Sequence, residues 1–131
     1  MSEIVTAVKQ VELDKSREHV FDQSKLYAVV DKNLDLGGKA CQAAHALRAY
    51  ADAYPYVEGK WWTQSNRLVI LEHENVPALL EQARAMGITC AEFREPYWND
   101  AMTAIAVGPD GEKLLRGLPL AYSSDCAIKA A

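Results

Sequence analysis

The residues best suited to chemistry lie in two short stretches of the chain. In the first, Gly37 and Gly38 precede Lys39, and His45 follows six residues after the lysine. Glycines at the start of a helix let an anion approach the free backbone N–H groups, and a lysine adds a full positive charge. An imidazole can act as a base or a hydrogen-bond donor near neutral pH. The first stretch therefore predicts a helix entrance that binds a phosphate or carboxylate.

A structural interpretation of the same residues stays open. The pair Gly37 and Gly38 can simply make a tight turn from a strand into a helix, and a single histidine on a helix is more often structural than catalytic. Gln42, one turn before His45, can share its face and contact a substrate. Because no second histidine lies at metal-ligand spacing, we expect no metal and no other cofactor.

The second stretch follows an apolar strand pattern. Glu95 precedes Pro96, so its carboxylate is expected at a strand end, which is where open α/β sheets bind ligands. Asn99, Asp100 and Thr103 follow closely, and we predict the first two to be substrate-binding residues. The alternative is that Glu95 and Asp100 are solvated loop charges.

Composition limits the class of protein. The chain has 131 residues, 50% of them hydrophobic and 24% charged, which is typical of one globular domain. Its formal net charge of -4 disfavours a general affinity for nucleic acid, although a local basic patch can still exist. The widely spaced Cys41, Cys90 and Cys126 predict reduced thiols. The N-terminus lacks a signal-peptide pattern, and no apolar run is long enough to span a bilayer, so we expect a cytoplasmic protein without membrane contact.

The elements that must position these residues alternate between strands and helices. Apolar runs predict strands at residues 26–30, 68–71, 89–93 and 103–107, and helical patterns lie at 39–53, 76–86 and 112–116. Such alternation predicts an α/β sheet covered on both faces. The first two strands should be parallel and the last two antiparallel, which makes the sheet mixed.

Within these elements, side chains of particular positions are expected inside. Four residues of the first helix recur at helical spacing and should face the core: Ala40, Ala44, Leu47 and Ala51. Residues 56–66 are a loop or a short helix with two tryptophans. Trp61, Trp62 and Trp98 favour a core or interface position over stacking on a base.

A longer stretch resembles a known family. Residues 33–50, NLDLGGKACQAAHALRAY, resemble the helix entrance of the type 2 peptidyl-tRNA hydrolases, in which an N-D-L-x-M segment leads through G-K to A-A-Q-x-x-H-A. The Gly38-Lys39 step, Gln42, His45 and Ala46 match directly. Later stretches agree in order, namely LVILEHEN, LLEQARAMGIT and TAIAVGPDGEKLLRGLPLA. The resemblance covers roughly residues 26–121.

The resemblance implies a three-layer α/β/α fold with a four-stranded mixed sheet over residues 26–121. Outside this range, residues 1–25 stay an unassigned N-terminal arm, which could also hold a short strand and a helical turn, and residues 122–131 are a C-terminal tail. The resemblance further implies a homodimer that hydrolyses, without a metal, the ester between a peptide or aminoacyl group and tRNA. The catalytic positions carried over by the resemblance are Lys39, His45, Glu95 and Thr103, and the helix entrance with Gly37, Gly38 and Gln42 would bind substrate.

Three departures from the family pattern fall on these positions. Lys39 lies six residues before His45, where the family has seven, and the loop before Lys39 is about one residue shorter. The family's D-A-G-x-T segment is replaced by E-P-Y-W, and the loop to Thr103 is shorter. Two alternatives therefore stay open: an inactive binding or regulatory module on the same scaffold, and a hydrolase of a small ester or amide, which the acidic charge would suit.

Overall fold

Strands and helices alternate along residues 24–122, the part of the chain that the computed structural model describes. The elements are β1 (Lys25–Asp31), α1 (Leu36–Ala53), α2 (Pro55–Gln64), β2 (Arg67–His73), α3 (Val76–Ala85), β3 (Cys90–Glu95), β4 (Ala101–Val107) and α4 (Glu112–Leu115). Most of the predicted arm, residues 1–23, and of the predicted tail, residues 123–131, lies outside the described residues. None of the helices within residues 24–122 combines the length and hydrophobicity needed to cross a membrane.

The four strands form one mixed sheet in the order β2-β1-β4-β3. β1 and β2 run parallel and β4 is antiparallel to β3, as the sequence predicts. β4 also pairs antiparallel with β1. It follows that β1, β2 and β3 end at the same edge of the sheet, and that β4 begins there. We call this the carboxyl edge.

Helices cover both faces of the sheet. The side chains of β1 alternate, so that Leu26, Ala28 and Val30 pack with α1 and α2, while Tyr27 and Val29 pack with α3. α4 adds Leu115 to the α3 side. The predicted three-layer α/β/α arrangement is confirmed, with one apolar core on each face.

The inner face of α1 differs from the prediction. Ala40 and Ala44, which we expected in the core, are exposed. The buried positions of α1 are Lys39, Gln42, Ala43, Ala46 and Tyr50. A helix with alanines around its circumference can bury either face, and here the large Tyr50, which is fully buried, sets the rotation. This rotation points two polar side chains at the sheet.

Residues 56–66 belong largely to α2 and not to a loop. Trp61 is buried and its Nε1 donates to the carbonyl of Arg67 at 2.9 Å, which ties α2 to the start of β2. Trp62 is 63% exposed and Trp98 is 47% exposed. The core interpretation therefore holds for Trp61 alone.

The end of the described chain lies along the outer edge of β2. Pro119 O accepts from Glu72 N at 3.0 Å, and Ala121 N donates to Ile70 O at 2.9 Å. Tyr122 Oη then donates to the carbonyl of Leu36 at 3.1 Å. This C-terminal segment, residues 118–122, therefore covers the β2 edge and reaches the start of α1.

Candidate functional site

A buried polar cluster joins α1 to the carboxyl edge of the sheet. Thr103 Oγ1 donates to Gln42 Oε1 at 2.6 Å, and Gln42 Nε2 donates to Glu95 Oε2 at 3.4 Å. The exposed fractions are 3% for Gln42, 8% for Glu95 and 4% for Thr103. We call these three residues the Gln42 cluster. The fold thus brings together three of the residues that the sequence singles out, from α1, β3 and β4.

A β-bulge aims Thr103 at α1. In the ladder between β3 and β4, Phe93 pairs with Ala104, and Arg94 pairs with Met102, so Thr103 is an extra residue in β4. Ala104 packs on the α1 side and Met102 on the α3 side. Without the extra residue, strict alternation would place the neighbour of Ala104 on the α3 side. The bulge is therefore the reason that the Thr103 hydroxyl reaches Gln42.

Glu95 is the buried carboxylate of the cluster. It is the last residue of β3, and within residues 24–122 no cation forms an ion pair with it. A buried carboxylate usually needs several donors or a cation, because burial removes the water that would solvate it. Among the described residues this carboxylate accepts one long hydrogen bond, from Gln42, and so keeps acceptor sites for a water or a substrate hydroxyl.

Lys39 forms a second polar network on the same side of α1. Its Nζ lies 2.6 Å from Glu72 Oε2 and 3.4 Å from the carbonyl oxygen of Ala121. The side chains of Lys39 and Glu72 are 9% and 23% exposed. The Lys39 side chain therefore points inward, toward β2 and the C-terminal segment, whereas the Gln42 side chain points toward β4 and β3.

The sequence did not single out Glu72, although a signal for it exists. Glu72 is opposite Val30 in the parallel ladder, and Val30 faces α1. Side chains along a strand alternate between the two faces of the sheet. By this alternation Glu72, which follows the apolar run LVIL, falls on the face that the first helix covers. The pairing of Glu72 with Lys39 depends on the β1–β2 register, which is a tertiary property.

His45 lies on the exposed side of α1. Its Nε2 is 3.3 Å from Cys41 Sγ, and its ring packs on Phe93 with a centroid distance of 4.7 Å. Phe93 precedes Glu95 by two residues on β3 and faces the same side of the sheet. His45 is therefore next to the Gln42 cluster along both α1 and β3, although it has no hydrogen bond to the cluster within the described part of the chain.

The helix entrance is closed by its own cap. Asp35 is the N-cap of α1, and its Oδ1 accepts from Gly38 N at 2.6 Å. A Cβ at Gly38 would lie 2.8 Å from that oxygen, so a side chain at this position would have to displace the Asp35 carboxylate. The Asp35 carboxylate sits where an external anion would bind, and the glycine pair serves the cap.

Asn99 and Asp100 form the turn that leads into β4. Both have positive φ angles, 52° and 57°, and Asp100 N donates to Glu95 O at 3.0 Å. Their side chains are exposed beside Tyr97, which is 92% exposed. These predicted substrate-binding residues therefore border the carboxyl edge. Asp100 contacts the Gln42 cluster through the backbone of Glu95, and among the described residues no side-chain hydrogen bond joins Asn99 or Asp100 to the cluster.

A surface groove of about 280 Å³ opens beside the Lys39 network at the same edge. It is lined by Lys32, Glu72, His73, Glu74, Leu118 and Pro119. Within residues 24–122, no three His, Cys, Asp or Glu side chains gather closely enough to hold a metal ion. The site thus offers carboxylate, amide, hydroxyl, imidazole and ammonium groups for its chemistry.

No protein-family model matches this chain, and no curated protein matches it either.

Proposed function

We propose that this chain hydrolyses the ester that joins a peptide or aminoacyl group to the terminal ribose of a tRNA. The observation that carries the proposal is the Gln42 cluster. Gln42, Glu95 and Thr103 are separated widely in sequence. Gln42 matches the helix motif of the family that the chain resembles, and Glu95 and Thr103 stand at the positions of its functional aspartate and threonine. Their direct hydrogen bonds give those matched positions a common location.

Glu95 is the proposed general base. Its buried carboxylate accepts a proton from water as the water oxygen attacks the ester carbonyl, and a positioned base of this kind contributes about 10²- to 10⁴-fold to rate. Gln42 holds one oxygen of Glu95, which leaves the other for the water. The Thr103 hydroxyl donates its hydrogen bond to Gln42, so the lone pairs of its oxygen can orient the same water.

Lys39 and His45 have supporting roles in this scheme. An ammonium has three N–H donors, and two of those on Lys39 already have acceptors in Glu72 and Ala121, so the third can reach an ester oxygen. Its positive charge would stabilise the oxyanion that develops during attack. His45 is the one exposed imidazole near the cluster in the described chain, where it can protonate the departing ribose oxygen.

One observation favours a second function, that of a non-catalytic binding module. Glu72 lies 2.6 Å from Lys39 and compensates its charge, which lowers the value of Lys39 to a developing oxyanion. On this alternative the same edge would bind a ligand through its groove and exposed aromatic residues. The two functions differ in whether bound substrate is cleaved.

The deciding experiment measures release of tRNA from peptidyl-tRNA by the full chain. We expect Glu95→Gln to lower the rate by about 100-fold or more, because the isosteric amide keeps the bond to Gln42 but cannot take a proton. Glu92→Gln is the matched control, since Glu92 lies on the same strand with its side chain paired to Arg84 and Arg94. It should retain at least half of the wild-type rate.

Absence of hydrolysis by the wild-type chain, with binding of tRNA intact, would leave the binding module as the function. A measurement of tRNA affinity across salt concentrations separates the remaining alternative. Contacts to phosphates weaken steeply with salt. Hydrolysis of a small ester without salt-dependent tRNA binding would instead support a small-molecule hydrolase.

A further inference from the structure

Cys41 and His45 form a thiol–imidazole pair on the outer side of α1. Sγ of Cys41 lies 3.3 Å from Nε2 of His45, and both residues are exposed. The imidazole is itself held by Phe93, whose ring packs against it at 4.7 Å with a 35° tilt. A nucleophile in contact with a base, whose orientation a third group fixes, is the arrangement that activates otherwise weak nucleophiles.

The other described cysteine has the opposite environment. Cys90 is 8% exposed, and burial raises the pKa of its thiol, so it is poorly accessible and less of it is thiolate at a given pH. Cys41 alone among the cysteines of residues 24–122 combines access to solvent with a neighbouring base. Among the two described cysteines, reactivity toward external electrophiles is therefore concentrated at Cys41.

We propose that Cys41 is a modification site that undergoes thiol–disulfide exchange with small-molecule disulfides, with His45 as the base. The Cys41 sulfur attacks one sulfur of the disulfide, and its proton passes to Nε2 of His45. A new S–S bond forms between Cys41 and the attacked sulfur, while the original S–S bond breaks and its electron pair leaves with the other sulfur as a thiolate. That thiolate takes up a proton, so one disulfide and one thiol give one mixed disulfide and one small thiol.

The modification would change the surroundings of the candidate site. The adduct would stand one residue from Gln42 and would remove the thiol from Nε2 of His45. This inference concerns thiol reactivity and holds whether or not the chain hydrolyses an ester.

The test measures the rate at which the full chain reacts with dithionitrobenzoate, a small aromatic disulfide that releases a coloured thiolate. Cys126→Ser serves as the background, so that Cys41 is the accessible cysteine, and adding Cys41→Ser gives the residual signal of Cys90. At about pH 7 an unassisted thiol is only a few per cent ionised, so we expect Cys41 to react about tenfold faster than in the same background with His45→Gln. At about pH 10 the thiol ionises without help, and the two rates should converge.

Equal rates at about pH 7 would overturn the proposal, as would a rate ratio that stays constant up to about pH 10. A merely structural role of His45 would give such a constant ratio. As a second measurement, the unsubstituted His45 chain is compared with N-acetylcysteine amide. If Cys41 reacts no faster than this model thiol at about pH 7, the proposal is also overturned. This comparison does not depend on whether the His45→Gln variant folds.

Discussion

Lys39 Nζ lies 2.6 Å from Glu72 Oε2, and this ion pair joins the first long helix to the edge strand β2. Both side chains are largely removed from solvent, and the Lys39 ammonium also donates to the carbonyl oxygen of Ala121. The pair forms in the orientation of α1 that the buried Tyr50 sets. The same orientation directs Gln42 at Glu95 and Thr103, so the two networks depend on one helix rotation.

Removing one partner of this pair should destabilise the fold. Lys39→Met leaves Glu72 partly buried without its cation, and we expect a loss of about 2 kcal/mol in the free energy of unfolding after allowance for the exposure of Glu72. The double variant Lys39→Met/Glu72→Gln should recover about half of that loss. Urea denaturation gives both values. Arg48→Ala is the control, because it breaks the exposed Arg48–Asp52 pair and should cost less than about 0.5 kcal/mol.

The hydroxyl of Thr103 should matter more than its methyl group. Thr103→Val leaves the buried Oε1 of Gln42 without its donor and should cost about 1–3 kcal/mol. Thr103→Ser keeps the donor and should cost clearly less. The two free energies of unfolding are compared by urea denaturation. A serine variant as unstable as the valine variant would contradict a role for this hydrogen bond in stability.

The helix entrance allows a test of its cap. Asp35→Ala should cost about 1 kcal/mol. Gly38→Ala should cost less, because its Cβ displaces the Asp35 carboxylate while alanine favours the helix more than glycine does. Since both changes remove the same bond, the double variant should lose less than the sum. Gly37→Ala is the matched control. Its Cβ would lie 4.0 Å from the Asp35 oxygen, so it should be neutral or should raise the thermal midpoint.

Stability should fall in alkaline solution. Burial is the main reason that the pKa of Cys90 is raised above its ordinary 9.0, with Arg84 lowering it and Asp110 raising it further. Burial likewise raises the pKa of Tyr54 above 10.0. A group with a raised pKa in the folded state binds its proton more tightly there, so its stabilisation is complete below the ordinary pKa and is lost as pH rises through the folded value.

The measurement is the urea midpoint at about pH 8 and about pH 10, values on either side of the ordinary thiol pKa. We expect the midpoint of the wild-type chain to fall between them, and the fall to be smaller in Cys90→Ala. An identical fall in both chains would show that the buried thiol does not contribute.

The fold was largely predictable from local patterns in the sequence. Continuous apolar runs marked the strands, and the helical pattern at 76–86 is largely occupied by α3, which begins after Asn75, whose Oδ1 accepts from Ala78 N at 3.2 Å. Parallel pairing of β1 with β2 followed from the intervening helix. These features depend on residue type and spacing over a few turns or one strand.

The candidate site was less predictable because it depends on contacts between elements. The rotation of α1 is decided by Tyr50, whose neighbours come from distant parts of the chain. The alanines lie all around the helix, so their pattern does not predict which face is buried. The bulge at Thr103 is a property of the β3–β4 ladder and leaves no local signature in AMTAIAV. Glu72 became part of the site only through strand register.

Within the C-terminal segment, the backbone of residues 119–121 forms hydrogen bonds with the outer edge of β2. An uncovered strand of this kind is a template on which other chains can add, with aggregation as the result. The C-terminal segment therefore protects the β2 edge from pairing with other chains. A chain truncated before Pro119 would expose the β2 edge and would therefore be less soluble. It would also lose the Ala121 carbonyl that contacts Lys39, so the candidate site would change as well.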